Sequence, residues 1–147
     1  MKRILFFDDE PFISNMLIEN LQKNYGWSND KQGEITFVST PKALFEKAND
    51  VNLEYDLFVL DIMVPIDQIE KMNLFSNEEI GRMQDGDNTG VVCAEKLRSM
   101  RKYKDVPILF LSARIQPSIM MPNSDYLEKP TFASELSLKM KEMLKIQ

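Results

Sequence analysis

The sequence of 147 residues contains no histidine and a single cysteine, and these two scarcities remove several classes of site. Without histidine, the chain has no Ser-His-Asp triad, no Cys-His pair and no histidine-ligated metal. The lone Cys93 permits neither an internal disulfide nor a multi-cysteine zinc or iron–sulfur site. Because Cys93 lies in an apolar stretch, Val91–Ala94, we expect a packed and unreactive thiol.

Glycine-rich phosphate-binding loops, long apolar runs and excess positive charge are also missing. The five glycines nowhere form the G-x-G-x-x-G pattern or the Walker loop that cradles nucleotide phosphates. No apolar run approaches the roughly 18 residues that cross a bilayer, and Ile4–Phe7 is too short for a signal peptide. The net charge of −5 argues against direct binding to nucleic acid or to an anionic membrane. We therefore expect a cytoplasmic protein whose chemistry depends on carboxylates, hydroxyls and lysine.

Short apolar runs alternate with helical spacing along the chain. The runs are Ile4–Phe7, Ile35–Val38, Leu57–Leu60, Ile108–Leu111 and Tyr126–Leu127. Their continuous hydrophobicity is typical of parallel strands that are covered on both faces. Helical spacing starts at Pro11 (Phe12, Met16, Leu17, Leu21, Tyr25), starts again at Pro41 after a Thr40 N-cap, and recurs over about Val91–Arg101 and Phe132–Leu144. This alternation predicts one doubly wound α/β domain over residues 1–147, with a five-stranded parallel sheet.

Two regions interrupt the alternation. Ile66–Asn88 has little periodicity and carries six acidic and two basic residues, hence a net charge of −4. Since strand-to-helix connections usually take about 2–6 residues, this acidic segment is an insertion after the third strand. It is either a disordered, solvated loop or a lid or docking surface. In the second region, Ala113–Asn123, Pro117 and Pro122 predict a shortened fourth helix.

Polar residues stand where the predicted strands end. They are Asp8 and Asp9 after the first strand, Asp61 after the third, Ser112 after the fourth and Lys129 after the fifth. The carboxyl ends of parallel strands meet at one edge of a sheet, so these groups should converge. Three adjacent carboxylates repel unless cations join them, and Mg²⁺ is a hard ion that carboxylates bind. A carboxylate beside Mg²⁺, a lysine and a hydroxyl can act as a nucleophile towards phosphorus and form an aspartyl phosphate.

Four segments with these residues resemble a known family. They are Ile4–Pro11, Leu57–Pro65, Val106–Ala113 and Asp125–Pro130. Together they resemble the response-regulator receiver domain (CheY-like) of two-component signalling, and the resemblance covers most of the chain outside Ile66–Asn88. It implies the flavodoxin-like receiver fold. In that family the loop after the phosphoacceptor is short and reaches a glycine, whose equivalent here is Gly90. The insertion would therefore start at the edge of the site.

The resemblance also implies a role for each site residue. Asp61 resembles the phosphoacceptor. Asp8, Asp9, Asp61 and the backbone carbonyl of Met63 resemble the ligands of Mg²⁺. The Lys129–Pro130 peptide bond is usually cis in this family.

Further roles concern the phosphoryl group after transfer. Ser112 and Lys129 resemble the residues that bind it. Ser112 and Tyr126 occupy the positions of a conformational switch, although a structural role in the core fits Tyr126 equally well. Met63 and Arg114 lie where the family tunes the lifetime of the phosphate.

The resemblance implies a phosphoacceptor rather than a turnover enzyme, and we expect a stand-alone receiver. It would take a phosphoryl group from a sensor histidine kinase or a histidine phosphotransfer protein, and then contact a downstream protein. One alternative is a pseudo-receiver that binds proteins without phosphorylation. A third hypothesis, a Mg²⁺-dependent phosphohydrolase, fits poorly, because such enzymes usually place nucleophile and acid two positions apart, unlike Asp8–Pro11.

Overall fold

A single parallel sheet organises the molecule. The computed structural model describes residues 1–28, 32–113 and 121–146. The strands are β1 (Lys2–Phe7), β2 (Gly33–Val38), β3 (Leu57–Asp61), β4 (Ile108–Ser112) and β5 (Ser124–Glu128). All neighbouring pairs are parallel, in the order β2-β1-β3-β4-β5. The predicted five-stranded α/β fold is therefore confirmed.

Helices connect the strands and cover the sheet. They are α1 (Pro11–Asn24), α2 (Pro41–Ala48), α3 (Gln68–Leu74), α4 (Asn77–Arg82), α5 (Thr89–Arg98) and α6 (Ala133–Leu144), with a 3₁₀ turn at Arg101–Tyr103. Thr40 caps α2 as predicted, since its hydroxyl accepts a hydrogen bond from the Ala43 amide at 3.1 Å. In the described ranges, no helix is long and apolar enough to span a membrane.

Both faces of the sheet are buried, which explains the continuous hydrophobicity of the strands. Along β1, Ile4 and Phe6 pack on the side of α1 and α6, whereas Leu5 and Phe7 pack on the side of α2 and α5. Cys93 belongs to the core on the side of α2 and α5 and is fully buried, and this burial raises the pKa of its thiol. The expectation of a packed thiol is confirmed.

The apolar spacing of α1 does not coincide with its buried face. Ser14, Ile18 and Leu21 are buried, but Phe12 and Met16, which belong to the predicted spacing, are exposed. The helix contacts the sheet through one narrow stripe, and its apolar residues extend around the helix beyond that stripe. The periodicity predicted a helix correctly, but it did not identify which residues the fold would cover.

The acidic insertion is helical, so its interpretation as a disordered, solvated loop is wrong. Asp67 caps α3 by accepting a hydrogen bond from the Glu70 amide, and Ser76 forms a reciprocal capping box with Glu79 at the start of α4. Between and after these helices, Phe75 and Met83 are buried in the core on the α2 and α5 side. Helices of six and seven residues are too short to show a clear apolar period, and the sequence pattern therefore missed them.

The predicted shortening of the fourth helix falls mainly on residues 114–120. These residues, and with them Arg114, lie outside the described ranges.

Candidate functional site

Three carboxylates meet at the carboxyl ends of two adjacent strands. β1 ends at Phe7, so Asp8 and Asp9 follow it directly, and Asp61 is the last residue of β3. The register that pairs Phe7 with Leu60 places these strand ends side by side. One carboxylate oxygen from each aspartate lies within 4.8 Å of the other two. The structure thus brings together the three acidic residues that the sequence predicted to converge.

A lysine from the far side of the sheet completes the cluster. The Nζ of Lys129 donates a hydrogen bond to Asp8 Oδ2 at 2.6 Å and lies 3.2 Å from Asp61 Oδ2. The backbone amide of Lys129 donates to the Ser112 carbonyl at 2.7 Å, which joins the ends of β4 and β5. The Lys129–Pro130 peptide bond is cis, as the resemblance implied.

Burial distinguishes the ionisable groups of this cluster from ordinary acidic residues on a protein surface. Asp8 and Asp61 are only 3% and 4% exposed, and Asp9 is half-buried. Burial raises the pKa of Asp61 to about 7; the Lys129 ammonium opposes that shift, while the charges of Asp8 and Asp9 add to it. Burial lowers the pKa of Lys129, but its hydrogen bond to Asp8 and the charge of Asp61 outweigh burial and raise it.

The donor set fits a hard divalent cation. Three carboxylates against one ammonium leave an excess of negative charge in a place where water solvates it poorly. Carboxylate oxygens at such spacing are the ligands that Mg²⁺ takes, together with water. The Met63 amide donates to Asp61 Oδ1 at 3.3 Å, so the turn after β3 stays beside the carboxylate. The Met63 carbonyl oxygen remains a predicted fourth ligand of the cation.

Two further predicted residues lie on β4, which pairs with the strand of Asp61, and on β5 beyond it. Ser112, the last residue of β4, is fully buried and lies one position beyond Leu111, the partner of Asp61 in the sheet. Tyr126, on β5, is half-buried and packs against the core on the α2 and α5 side. Their proposed contact with a phosphoryl group and their switching stay predictions.

A cleft beside the cluster was not foreseen from the sequence. Its volume is about 340 Å³, and it lies between the start of α1 and the segment after β5, with Asp8, Ile13, Lys129 and Thr131 in its wall. Phe12, Ile13 and Met16 leave an exposed apolar surface on α1 at this edge. Helical spacing did not reveal this surface, because Phe12 and Met16 fit the apolar spacing of a helix that packs on the core.

The start of α5 packs closely against the turn after β3. The Gly90 amide donates to the Ile62 carbonyl at 2.9 Å, and a Cβ on Gly90 would lie 2.7 Å from Ile62 Cα and closer still to the Asp61 carbonyl oxygen. A side chain at this position would displace the backbone of the phosphoacceptor candidate. The preceding Thr89 is fully buried, and its hydroxyl contacts the same turn.

Comparison with known proteins agrees with the sequence resemblance. No protein-family model matches the chain. A curated relative, the DNA-binding dual master transcriptional regulator RpaA of Synechocystis, is 29% identical over 150 residues. That match takes in 99% of this chain, and the chain spans about half the length of the relative.

Solved receiver domains share the architecture. The receiver domain of a sensor histidine kinase from Pseudomonas aeruginosa, solved with a magnesium ion in its active-site cleft, superposes with a TM-score of 0.67 at 20% identity over 98% of both chains. The response regulator TrrA of Thermotoga maritima, solved with Mg²⁺ and BeF, gives 0.65 at 27% identity over 97% of this chain and 99% of its own. A CheY-like receiver of Methanospirillum hungatei gives 0.65 at 18%, covering 99% and 94%. The chain thus has the fold of response-regulator receiver domains, and the resemblance carried by its four sequence segments is confirmed.

Proposed function

We propose that this chain is a receiver that accepts a phosphoryl group on Asp61 from a phosphohistidine, with Mg²⁺ as cofactor. The observation that carries the proposal is the convergence of Asp8, Asp9 and Asp61 within 4.8 Å, with Lys129 on two of them. A buried cluster of like charge costs stability, so a purely structural role would not account for it.

The side chains supply what phosphoryl transfer needs. A carboxylate oxygen of Asp61 attacks phosphorus, the bond from phosphorus to the donor imidazole nitrogen breaks, and an acyl phosphate forms while the imidazole leaves. Lys129 lies within 3.2 Å of that carboxylate and can offset the charge of the phosphoryl oxygens. Ser112 is proposed to donate a hydrogen bond to one of them, and with Tyr126 to report the modified state. Transfer to this side chain, followed by hydrolysis, makes the chain a signalling phosphoacceptor rather than a turnover enzyme.

The cation would be held by Asp8, Asp9, Asp61 and the Met63 carbonyl. When bound, Mg²⁺ neutralises negative charge on the phosphoryl oxygens and on the carboxylates around them. Arg114 and Met63 are proposed to govern access of water to the acyl phosphate. Met63 is 37% exposed and therefore accessible for that role.

The cleft at α1 supports docking of a phosphodonor protein. A sensor histidine kinase or a histidine phosphotransfer protein must bring an imidazole to Asp61 past the rim of the site. The exposed Phe12, Ile13 and Met16 beside the cleft form an apolar surface for such a contact. Signalling to a downstream protein would then follow from a change in protein contacts.

Phosphorylation is tested with Mg²⁺ and a small acyl phosphate, followed by intact-protein mass spectrometry. We expect the wild-type chain to gain the mass of one phosphoryl group and Asp61→Asn to gain none. Asp85→Asn, which removes one acidic group of the insertion, is the matched control and should gain the same mass as the wild type. A wild type without mass gain, or an unchanged gain in Asp61→Asn, would contradict the proposal and favour a phosphorylation-independent binding module.

Metal binding is tested separately by calorimetric titration of Mg²⁺. We expect Asp9→Asn to weaken binding by roughly tenfold or more, because affinity depends on the number of charged ligands. Asp85→Asn should bind as the wild type does. Equal loss in both variants would mean that general acidity, rather than the strand-end cluster, attracts the ion.

A further inference from the structure

We propose that Thr89 is a positioning residue that holds the turn after β3 and, through it, the Met63 carbonyl. The inference deepens the proposed function, because it takes that carbonyl as a ligand of Mg²⁺. Thr89 lies at the point where the insertion returns to the sheet, one residue before Gly90, whose amide donates to the Ile62 carbonyl. It is the first residue of α5 and is fully buried.

The hydroxyl of Thr89 lies in hydrogen-bond distance of two carbonyl groups. Its Oγ1 is 2.6 Å from the Val64 carbonyl oxygen and 3.3 Å from that of Gly86. Since a hydroxyl donates one hydrogen, the shorter contact to Val64 is the stronger bond. Val64 is itself buried, so water cannot readily replace the hydroxyl as a partner of its carbonyl. Loss of the hydroxyl would therefore leave a buried acceptor unsatisfied, which costs free energy.

The turn is thus held at both ends. At its first end, Asp61 is paired in the sheet and accepts a hydrogen bond from the Met63 amide. At its second end, Thr89 binds Val64. The Met63 carbonyl lies between these two anchors, and its orientation therefore depends on both.

Close backbone packing places Thr89 where it can reach the turn. Gly86 has a φ of +99°, and a Cβ there would lie 3.2 Å from both Pro65 Cα and the Val64 carbonyl oxygen. The Gly90 amide donates to the Ile62 carbonyl at 2.9 Å. The backbone on both sides of Thr89 therefore packs directly against the turn after β3. If either of these two segments moves, the other must move with it.

Removal of the hydroxyl tests the inference. Thr89→Val keeps the shape and Thr89→Ala removes the same hydroxyl with less bulk, so at least one of them should fold; Thr89→Ser keeps the hydroxyl. We expect the variants without a hydroxyl to bind Mg²⁺ about tenfold more weakly, as for other groups that orient a metal ligand. Thr89→Ser should stay within about threefold of the wild type.

Amide hydrogen exchange of the metal-free protein supplies a readout that does not depend on Mg²⁺. We expect the Met63 amide to exchange about tenfold faster in the variants without a hydroxyl, and at the wild-type rate in Thr89→Ser. The control is Ser137→Ala, which removes a buried hydroxyl that accepts a hydrogen bond from Trp27 Nε1 at 2.8 Å on the opposite face of the sheet. It should lower stability without changing exchange at Met63 or Mg²⁺ binding.

The outcomes separate this inference from the proposed function. Wild-type exchange at Met63 in Thr89→Val and Thr89→Ala would overturn the inference, whether or not the ion binds. Faster exchange with unchanged Mg²⁺ affinity would also overturn it, since the turn would then not position a ligand. If the wild type bound no Mg²⁺, the proposed function would fail, and the exchange data alone would show whether Thr89 holds the turn.

Discussion

Acidic side chains occur in two regions of this molecule, and the fold treats them in opposite ways. At the strand ends, Asp61 is buried among like charges and its pKa rises to about 7. In the insertion, the Glu79 carboxylate accepts a hydrogen bond from the Ser76 amide, and its pKa falls below the usual value. The insertion holds more acidic residues, yet the smaller cluster of Asp8, Asp9 and Asp61 has the electrostatics of a cation site.

Access to solvent and to hydrogen-bond donors explains the difference. Acids of the insertion cap helices, as Asp67 does, or pair with cations, as Glu78 does with Arg82 at 3.3 Å. Each of these charges is solvated or compensated locally. At the strand ends, Asp8 and Asp61 share one lysine and are almost inaccessible to solvent. Local acid density in a sequence is therefore a poor guide to a metal site, whereas convergence in the fold is a good one.

The largest effect on stability is expected from removal of the lysine that Asp8 and Asp61 share. Lys129→Met would leave Asp8 and Asp61 buried without their ammonium group. We expect the free energy of unfolding to fall by about 4 kcal/mol at pH 8 without divalent cations, as measured by urea denaturation. Lys96→Met, which removes a 3.7 Å contact to Glu79, should cost less than about 1 kcal/mol. Equal losses would mean that the two regions do not differ in burial.

The packing of the insertion is tested at its methionines. Met83 is fully buried in the core, whereas Met72 on α3 is 67% exposed. Met83→Ala should therefore cost about 3 kcal/mol of unfolding free energy, because it leaves a cavity. Met72→Ala should cost no more than about 0.5 kcal/mol. If the insertion were a solvated loop, both substitutions would be nearly neutral in thermal and urea unfolding.

Neutralisation of single acids should change stability in opposite directions in the two regions. The folded pKa of Asp61, about 7, exceeds the usual aspartate value of 3.8, so ionisation of Asp61 weakens the fold as pH rises from about 4 to 7. Asp61→Asn should therefore stabilise the metal-free protein by about 2 kcal/mol at pH 8, and this gain should disappear near pH 4.

Glu79→Gln supplies the opposite case. A lowered pKa contributes stability above the unfolded value and loses it as pH falls. Because Glu79 is largely solvated, the substitution should destabilise by less than about 1 kcal/mol at pH 8. Urea unfolding of both variants between pH 4 and pH 8 measures the two slopes, and slopes of the same sign would refute the comparison.

A modest effect is also expected at the start of α4. Ser76→Ala removes a hydroxyl that accepts a hydrogen bond from the Glu79 amide at 3.1 Å. We expect a loss of about 1 kcal/mol in unfolding free energy, with most of it retained in Ser76→Thr. Circular dichroism and urea unfolding would check both. No loss in Ser76→Ala would mean that the capping box does not stabilise the insertion.

Much of the candidate site could be predicted because its residues directly follow buried strands. Asp8, Asp61 and Lys129 stand at the ends of apolar runs, and parallel strands bring such ends to one edge. The contribution of Thr89 could not be predicted in this way. Its role depends on where the insertion returns, and a short, capped pair of helices leaves little periodic signal.

The strands, the four longer helices and the kinds of group at the strand ends could be predicted from the sequence, since apolar runs and polar stops are local properties of a chain. Local sequence could not show which apolar residues of α1 stay exposed, that the acidic insertion packs as helices, or that Lys129 reaches an aspartate 121 positions away. These features depend on contacts between distant segments. Burial, and with it the pKa of a carboxylate, is a property of such contacts and not of neighbours in the chain.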